Sequence, residues 1–237
     1  MAQTPLPGQA REITRYMHAE RQSSVALTFD DGPDPRWTPL VLDTLAEADA
    51  RATFFVIAPL ARMHSSLIFR MRDEGHQVAF HCVEHIRHDA RTRSEIEDDT
   101  REGLLALEDL GLTPRYWRTP WGCVVTATED TARELGLTLV GWTTDTKDWR
   151  GDAWEEMLAR VEVGLVDDAV VMMHDGIGPG ATREGCAETV ALVEPLVALA
   201  RSRGLEPVTI REIRHPLPDR NPDFLVRTPD TEDLRRV

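Results

Sequence analysis

Lysine is nearly missing from this 237-residue chain: of 27 basic side chains, Lys147 alone is a lysine and the rest are arginines. A GC-rich coding sequence produces that bias without a functional cause. Positive charge as a whole is scarce, with 27 Lys and Arg against 41 Asp and Glu, a net of 27 − 41 = −14. Nucleic acid and anionic membrane surfaces both reward basic patches, so neither is expected as the main partner. Cysteine is scarce too: Cys82, Cys123 and Cys186 are odd in number, widely spaced and form no CxxC pair. That usage fits reduced thiols better than a disulfide framework. Long hydrophobic runs are lacking, and the opening MAQTPLPGQAREITRYMHAERQSS has no apolar centre of a leader. Neither a signal peptide nor a transmembrane helix is therefore expected, which points to the cytoplasm, or to secretion if a leader was trimmed. Internal repeats and low-complexity tracts are also absent. With 41% apolar residues over this length, one domain can build its core without staples.

What is present alternates. Short runs rich in Val, Ile, Thr and aromatics read as strands at Ser24–Phe29, Ala52–Ile57, Gln77–Phe80, Arg115–Arg118, Thr138–Trp142, Ala169–Met173 and Pro207–Ile210. Between them lie helical spacings, such as Pro39–Ala48 with Leu42 and Leu45 on one face, and Ser94–Leu110 with Leu104, Leu105 and Leu107. Ser94 with Glu97, and Thr126 with Glu129, read as capping boxes that open two of the helices. This alternation predicts an α/β fold with a parallel sheet, either a barrel or doubly wound. The organisation expected is an N-terminal extension over 1–23, a catalytic domain over 24–214 and a C-terminal strap or tail over 215–237, the last rich in Pro, Asp and Arg.

The unusual residues fall at strand ends. Thr28-Phe29-Asp30-Asp31-Gly32-Pro33 closes the first strand. Alone it reads as a turn, but two adjacent carboxylates there can also supply one metal ligand and one base. His81-Cys82-Val83-Glu84-His85 closes the third, with His76 and His88 nearby. A His-x3-His pair is often a surface coincidence. On a helical turn, however, both rings can face one point. With one carboxylate they leave coordination positions open for water and substrate, as a catalytic rather than a structural metal site does. His76 and His88 break that spacing and read as structural or exposed. Arg118-Thr119-Pro120-Trp121-Gly122, Asp145-Thr146-Lys147-Asp148-Trp149 and Val170-Val171-Met172-Met173-His174-Asp175 end three further strands. Each alone reads as a surface ion pair, a charged loop or a strand-end histidine.

Taken in order, TFDDGP at 28–33, HCVEH at 81–85, RTPWG at 118–122, DTKDW at 145–149 and VVMMHD at 170–175 resemble the five motifs of the NodB-homology polysaccharide deacetylases, carbohydrate esterase family 4. The resemblance spans roughly residues 24–210 and implies a distorted (β/α) barrel of about seven parallel strands, with its site at the strand C-terminal ends. It implies Asp31, His81 and His85 as ligands of a divalent metal, Zn²⁺ by default, with Co²⁺, Ni²⁺ or Mn²⁺ as alternatives. Asp30 is then the general base, held by Arg118, and His174 the general acid, paired with Asp148. The Trp121 backbone N–H would help bind the oxyanion, while Pro120, Trp121, Trp149 and Met172 would line the substrate site. Four positions depart from the family pattern. Cys82 stands where a Ser or Thr hydroxyl helps fix the metal loop, Trp121 replaces Tyr, Met172 replaces a Leu of the acetyl pocket, and Phe80 replaces an Asn, making that side of the site less polar. The Gly-rich Asp175–Gly185 reads as a mobile loop over the site or a plain connector.

The function expected is a metal-dependent N-deacetylase acting on an N-acetylglucosamine-containing carbohydrate. The alternatives are a deacetylase, deformylase or amidase of a small-molecule amide in a biosynthetic pathway, and an inactive carbohydrate-binding protein on the same fold.

Overall fold

The structure, a computed structural model, describes residues 22–213; the N-terminal extension up to residue 21 and the strap expected at 215–237 lie outside the described residues. Among the described residues there are eight strands: β1 (Ser23–Asp30), β2 (Thr53–Ile57), β3 (Gln77–Cys82), β4 (Tyr116–Trp117), β5 (Thr138–Leu139), β6 (Thr144–Asp145), β7 (Ala169–His174) and β8 (Leu205–Val208). Seven follow one another in the order β5-β4-β3-β2-β1-β7-β6, and β8 pairs with β1. Every pairing is parallel. β8 takes the first half of one edge of β1, from Ser23 to Ala26, and β2 takes the rest, from Thr28 to Asp30. The expected strand at 138–142 is split: β5 ends at Leu139, and β6 begins only at Thr144. This is the distorted barrel, with the ladder interrupted between β5 and β6.

Seven α-helices of the described residues pack outside: α1 (Trp37–Glu47), α2 (Ala58–Met63), α3 (Ser65–Asp73), α4 (Arg93–Glu108), α5 (Thr126–Leu135), α6 (Trp154–Glu162) and α7 (Ala187–Ser202). The period of two along each strand decides what faces them. Val25, Leu27, Phe29, Phe54, Val56, Phe80, Trp117, Val171 and Met173 share one core with Val41, Leu42, Leu45, Leu192 and Leu196 of the helices. The alternate positions Ala26, Phe55, Ala79 and Val170 form a separate, inner cluster with Val140, Val208 and Ile210. Each buried Leu or Phe contributes about 1.5–3 kcal/mol, so a one-residue slip of β1 would forfeit several such contributions and turn Asp30 toward the helices. The register that buries the core therefore also aims the polar strand ends inward.

Two helix starts differ from expectation. The capping box of α4 is Thr92 with Glu95, where Thr92 N–H donates to Glu95 Oε2 at 2.7 Å and Glu95 N–H to Thr92 Oγ1 at 3.3 Å. Ser94 already lies inside the helix. At α5 the cap is Val125, whose N–H donates to Thr128 Oγ1 at 3.2 Å, so Thr126 is the first helical residue and not the cap. At α4 Thr92 and Ser94 compete for one cap, and at α5 the extended residue is Val125, ahead of Thr126; the backbone, which the sequence does not display, decides both.

Candidate active site

The inward columns of four strands lead to a functional group. Asp30 ends β1, His81 lies near the end of β3, Arg118 follows β4 and His174 ends β7. All four are at the C-terminal rim of the parallel sheet. Three non-glycine residues with positive φ stand in the loops beyond: Asp31 at 70°, Trp121 at 53° and Lys147 at 55°. Such backbone is costly for L-residues and clusters where a site demands it.

Arg118 is buried and fully engaged. Its Nη1 donates to Asp30 Oδ1 and Thr28 Oγ1, both at 2.8 Å, its Nη2 to Gly141 O at 2.8 Å and its Nε to Val140 O at 3.3 Å. The guanidinium lies 4.1 Å above the Phe55 ring, the widest side chain of the inner cluster. Burial lowers the Arg118 pKa and the adjacent Asp30 carboxylate offsets part of that, so the two charges are held as a pair.

Asp31, His81 and His85 converge. His81 Nε2 and His85 Nε2 each lie 3.2 Å from Asp31 Oδ1. The Nδ1 of His81 is 2.6 Å from Arg118 O, which can only accept, so Nδ1 carries a proton and Nε2 faces the carboxylate. Asp31 Oδ1 and His81 Nε2 are buried atoms without a hydrogen-bond partner. With Nδ1 protonated, a neutral His81 turns its Nε2 lone pair toward the Asp31 carboxylate, an opposition that a proton or a cation between them relieves. Asp31 is held well below the usual carboxylate range: burial raises it, but the two imidazoles more than reverse this. These three residues could hold a metal ion, with one oxygen and two nitrogen donors mutually within 4.8 Å.

On the opposite side, His174 Nδ1 is 2.7 Å from Asp148 Oδ1. Burial pulls the imidazole down, but Asp148 raises it to about 9; Asp148, in turn, is lowered to about 2 despite its burial. The sequence did not single out the residues that fix Asp148. Arg183 Nη1 donates to its Oδ2 at 2.8 Å, Thr189 Oγ1 to the same atom at 2.7 Å and the His174 backbone N–H at 2.9 Å. Arg183 also reaches His174 O at 3.1 Å and Gly176 O at 2.8 Å. The Gly-rich Asp175–Gly185 is thus an anchored connector. Its glycines are a matter of close approach, since a Cβ at Gly176 would stand 2.4 Å from Asp31 O and one at Gly178 2.1 Å from Asp31 Oδ2. An arginine amid glycines just after a catalytic motif was the available signal.

Asp175 is a second unexpected group. It is buried, accepts Thr38 Oγ1 at 2.5 Å, has an unpartnered Oδ1 and is pushed up to about 7, first by burial. The aromatic residues separate as follows. Trp121, on the turn begun by buried Pro120, lies 4.3 Å from the His85 ring. Trp149 follows Asp148, Met172 sits on β7 two residues before His174, and Trp117 is core, its Nε1 donating to His81 O at 3.0 Å. Phe80 corrects the expectation of a less polar site wall: it faces the helices, beside Trp117 and against Gly103 of α4. His88 is structural, with Nδ1 2.8 Å from Thr128 Oγ1 and burial holding it near 4, and His76 accepts the Ala52 N–H at 3.2 Å. Cys82 is a packed thiol, raised by burial well above its ordinary range.

A candidate cation set with open coordination, flanked by an arginine-held carboxylate and a carboxylate-held imidazole, at the C-terminal rim of a parallel barrel, defines a metal-assisted hydrolase. The chain belongs to the polysaccharide deacetylase family, whose model matches residues 18–140. Asp148, His174 and Arg183 lie beyond that match. The chain is similar to a chitooligosaccharide deacetylase from Bradyrhizobium sp. (strain ANU 289), at 34% identity over 203 residues, covering 82% of this chain and 89% of that protein. It is also similar to the peptidoglycan-N-acetylglucosamine deacetylase PgdA of Listeria monocytogenes serotype 1/2a (strain 10403S), at 33% identity over 209 residues, 88% of this chain but 42% of that protein. Among solved structures, a family 4 carbohydrate esterase from Streptomyces lividans in complex with acetate superposes with a TM-score of 0.72 at 27% identity, over 79% of this chain and 93% of that one. The chain is accordingly a hydrolase of the deacetylase kind. Among the described residues, no helix is long and apolar enough to cross a membrane.

Proposed function

We propose that the chain is a metal-dependent N-deacetylase that hydrolyses the acetamide of an N-acetylglucosamine-containing carbohydrate, with Asp31, His81 and His85 as metal ligands. The observation that carries this reading is the convergence of those three side chains between Asp30–Arg118 and Asp148–His174. The names of the two curated relatives, one acting on chitooligosaccharide and one on peptidoglycan, support the substrate class. Zn²⁺ is the proposed metal, since one carboxylate and two imidazoles suit it. When bound, it would supply Lewis-acid polarisation of the amide carbonyl and acidify a water.

The chain's own groups then carry the protons. Asp30, oriented through Oδ1 by Arg118, takes the proton of the attacking water. His174, whose Nδ1 is engaged by Asp148, presents Nε2 and protonates the departing amine nitrogen, without which an amide anion would have to leave. Water thus divides between acetate and amine. Base and acid need opposite protonation states, and each has a neighbour of opposite charge. The Trp121 N–H assists the developing oxyanion. Pro120, Trp121, Trp149 and Met172 form the apolar wall for the sugar face and acetyl methyl.

Acetate release from N-acetylated chitooligosaccharides and small amides, measured with His81→Ala as control, tests this reading. The expected outcome is sugar-dependent acetate release by the wild type and loss of both stoichiometric Zn²⁺ binding and turnover in the variant. A fully active His81→Ala protein would sink the metal assignment.

A further inference from the structure

The two imidazoles of the proposed metal set are not held alike. His81 lies on β3 with its Nδ1 fixed by Arg118 O at 2.6 Å. His85 lies beyond the end of β3, and its buried Nδ1 has no hydrogen-bond partner among the described residues. Among those residues its ring meets the rings of His81 and Trp121. A ligand imidazole is ordinarily oriented by a hydrogen bond on its second nitrogen. For His85 the orientation must therefore come from the backbone that carries it.

That backbone is captured by a single side chain. Where the β3 ladder stops, the next two N–H groups, of Val83 and Glu84, donate to Asp99 Oδ2 at 3.0 Å and Asp99 Oδ1 at 2.9 Å. Asp99 projects from α4, which packs on β3, and its side chain is only 8% exposed. Its charge is met by Arg91, also 8% exposed, whose Nη1 donates to Oδ1 at 3.0 Å. Arg91 further binds the Glu84 carboxylate and Glu95 O, closing a clamp across the loop. Cys82, the last residue of β3, forms no hydrogen bond through its thiol among the described residues.

We propose that Asp99, backed by Arg91, is the positioning residue for His85, and that it sets the affinity of the metal site by fixing the Val83–Glu84 backbone. The inference rests on the proposed metal set and not on the substrate. Two parallel N–H donors require two acceptor oxygens, which a carboxylate offers and an amide does not. Asp99→Asn keeps the shape but turns an NH₂ group toward one of the donors.

The test is competitive titration of Zn²⁺ against a chromophoric chelator, together with the visible spectrum of the Co²⁺-loaded protein, which reports ligand geometry. Asp99→Asn is expected to bind Zn²⁺ roughly 10–100-fold more weakly, the range for outer-shell partners, and to alter the Co²⁺ bands. Arg93→Gln, on the same helix but bonded to Glu97, Asp130 and Glu134 and not to the loop after β3, is expected to change neither. A folded Asp99→Asn protein with wild-type affinity and spectrum overturns the proposal. Should that variant fail to fold, Arg91→Met decides: it retains both N–H bonds but frees the carboxylate, and unchanged affinity there overturns the proposal equally. His85→Ala separates the two levels. If it too binds Zn²⁺ like the wild type, the metal set itself is wrong; if it loses affinity while Asp99→Asn does not, only the clamp fails.

Discussion

Asp148→Asn is the perturbation for which the structure supplies a magnitude. Burial alone would take His174 below the ordinary imidazole value of 6.5, and Asp148 raises it to about 9. At ~1.4 kcal/mol per pH unit, that rise corresponds to about 3 kcal/mol in favour of the protonated ring. Asparagine retains the size and an acceptor for Nδ1–H but not the charge, so burial is then opposed only by the Asp31 and Asp30 carboxylates and the His174 pKa falls back toward its ordinary value. With a return to 6.5, the protonated fraction at pH 8 falls from about nine-tenths to about 3%, a loss of roughly 30-fold in the acid form. Near pH 5.5 most of that loss disappears. The expected result is a variant whose kcat deficit shrinks as pH falls, measured by acetate release against wild type at equal metal loading. Imidazole NMR titration of the metal-free protein should report the shift directly. Stability follows the same sign. His174 is raised above its unfolded value, so its contribution is complete below about 6.5 and is lost as pH rises through about 9. Asp148, lowered to about 2, contributes above about 4 and loses its contribution as pH falls toward 2. Both describe one ion pair, counted once. A deficit that is the same at pH 5.5 and pH 8, or a His174 that titrates alike in both proteins, refutes the reasoning.

Three further outcomes follow from the site. Asp30→Asn should keep the metal set and bind Zn²⁺ as the wild type does, yet lose turnover by 10²–10⁴-fold, about the contribution of a general base; normal turnover would remove Asp30 from that role. Gly178→Ala would place a Cβ 2.1 Å from Asp31 Oδ2, so calorimetry should find weaker Zn²⁺ binding without global unfolding, and unchanged affinity would show the loop yields. Asp175, pushed up to about 7, is destabilising once pH exceeds its unfolded value of 3.8, and the cost grows until pH passes 7. Asp175→Asn should thus stabilise the metal-free protein at pH 8 by ~2–4 kcal/mol in denaturant melts and by little at pH 4; equal effects at both would contradict the assignment.

The sequence made legible whatever is encoded by order and type. Asp30, Asp31, His81, His85, Arg118, Asp148 and His174 each end or follow a strand in a recognisable series, and the strands carry the β-branched and aromatic content that places them. The residues that escaped attention are those whose role depends on folding back across the chain. Arg183 meets Asp148 from 35 positions away, and Asp99 meets Glu84 from 15. Only its glycine-rich setting marks Arg183 locally, and nothing local sets Asp99 apart from the many other acidic residues of the chain. Phe80 was misread for a related reason. Its neighbour His81 faces the site, and the period of two then obliges Phe80 to face the helices. The helix caps are not legible because residue type does not select them: Thr92 and Ser94 are equivalent candidates at α4, and at α5 the extended residue is Val125.

Arg118 joins the two halves of the account. The ladder is interrupted between β5 and β6, and the segment between them leaves the Val140 and Gly141 carbonyls directed at the barrel interior. Arg118 satisfies both while holding Asp30 and covering Phe55. An arginine is needed, because its planar fork serves four acceptors from one side chain, and a lysine ammonium has three donors at a single point. The distortion of the barrel and the orientation of the carboxylate on β1 are therefore one arrangement. An unbroken ladder would pair those carbonyls within the sheet and leave the guanidinium buried with fewer acceptors, a state whose desolvation Asp30 would offset only in part. The irregular segment after β5 thus supplies acceptors for a buried guanidinium, while the register of β1 sets the inward direction of the Asp30 carboxylate that it holds.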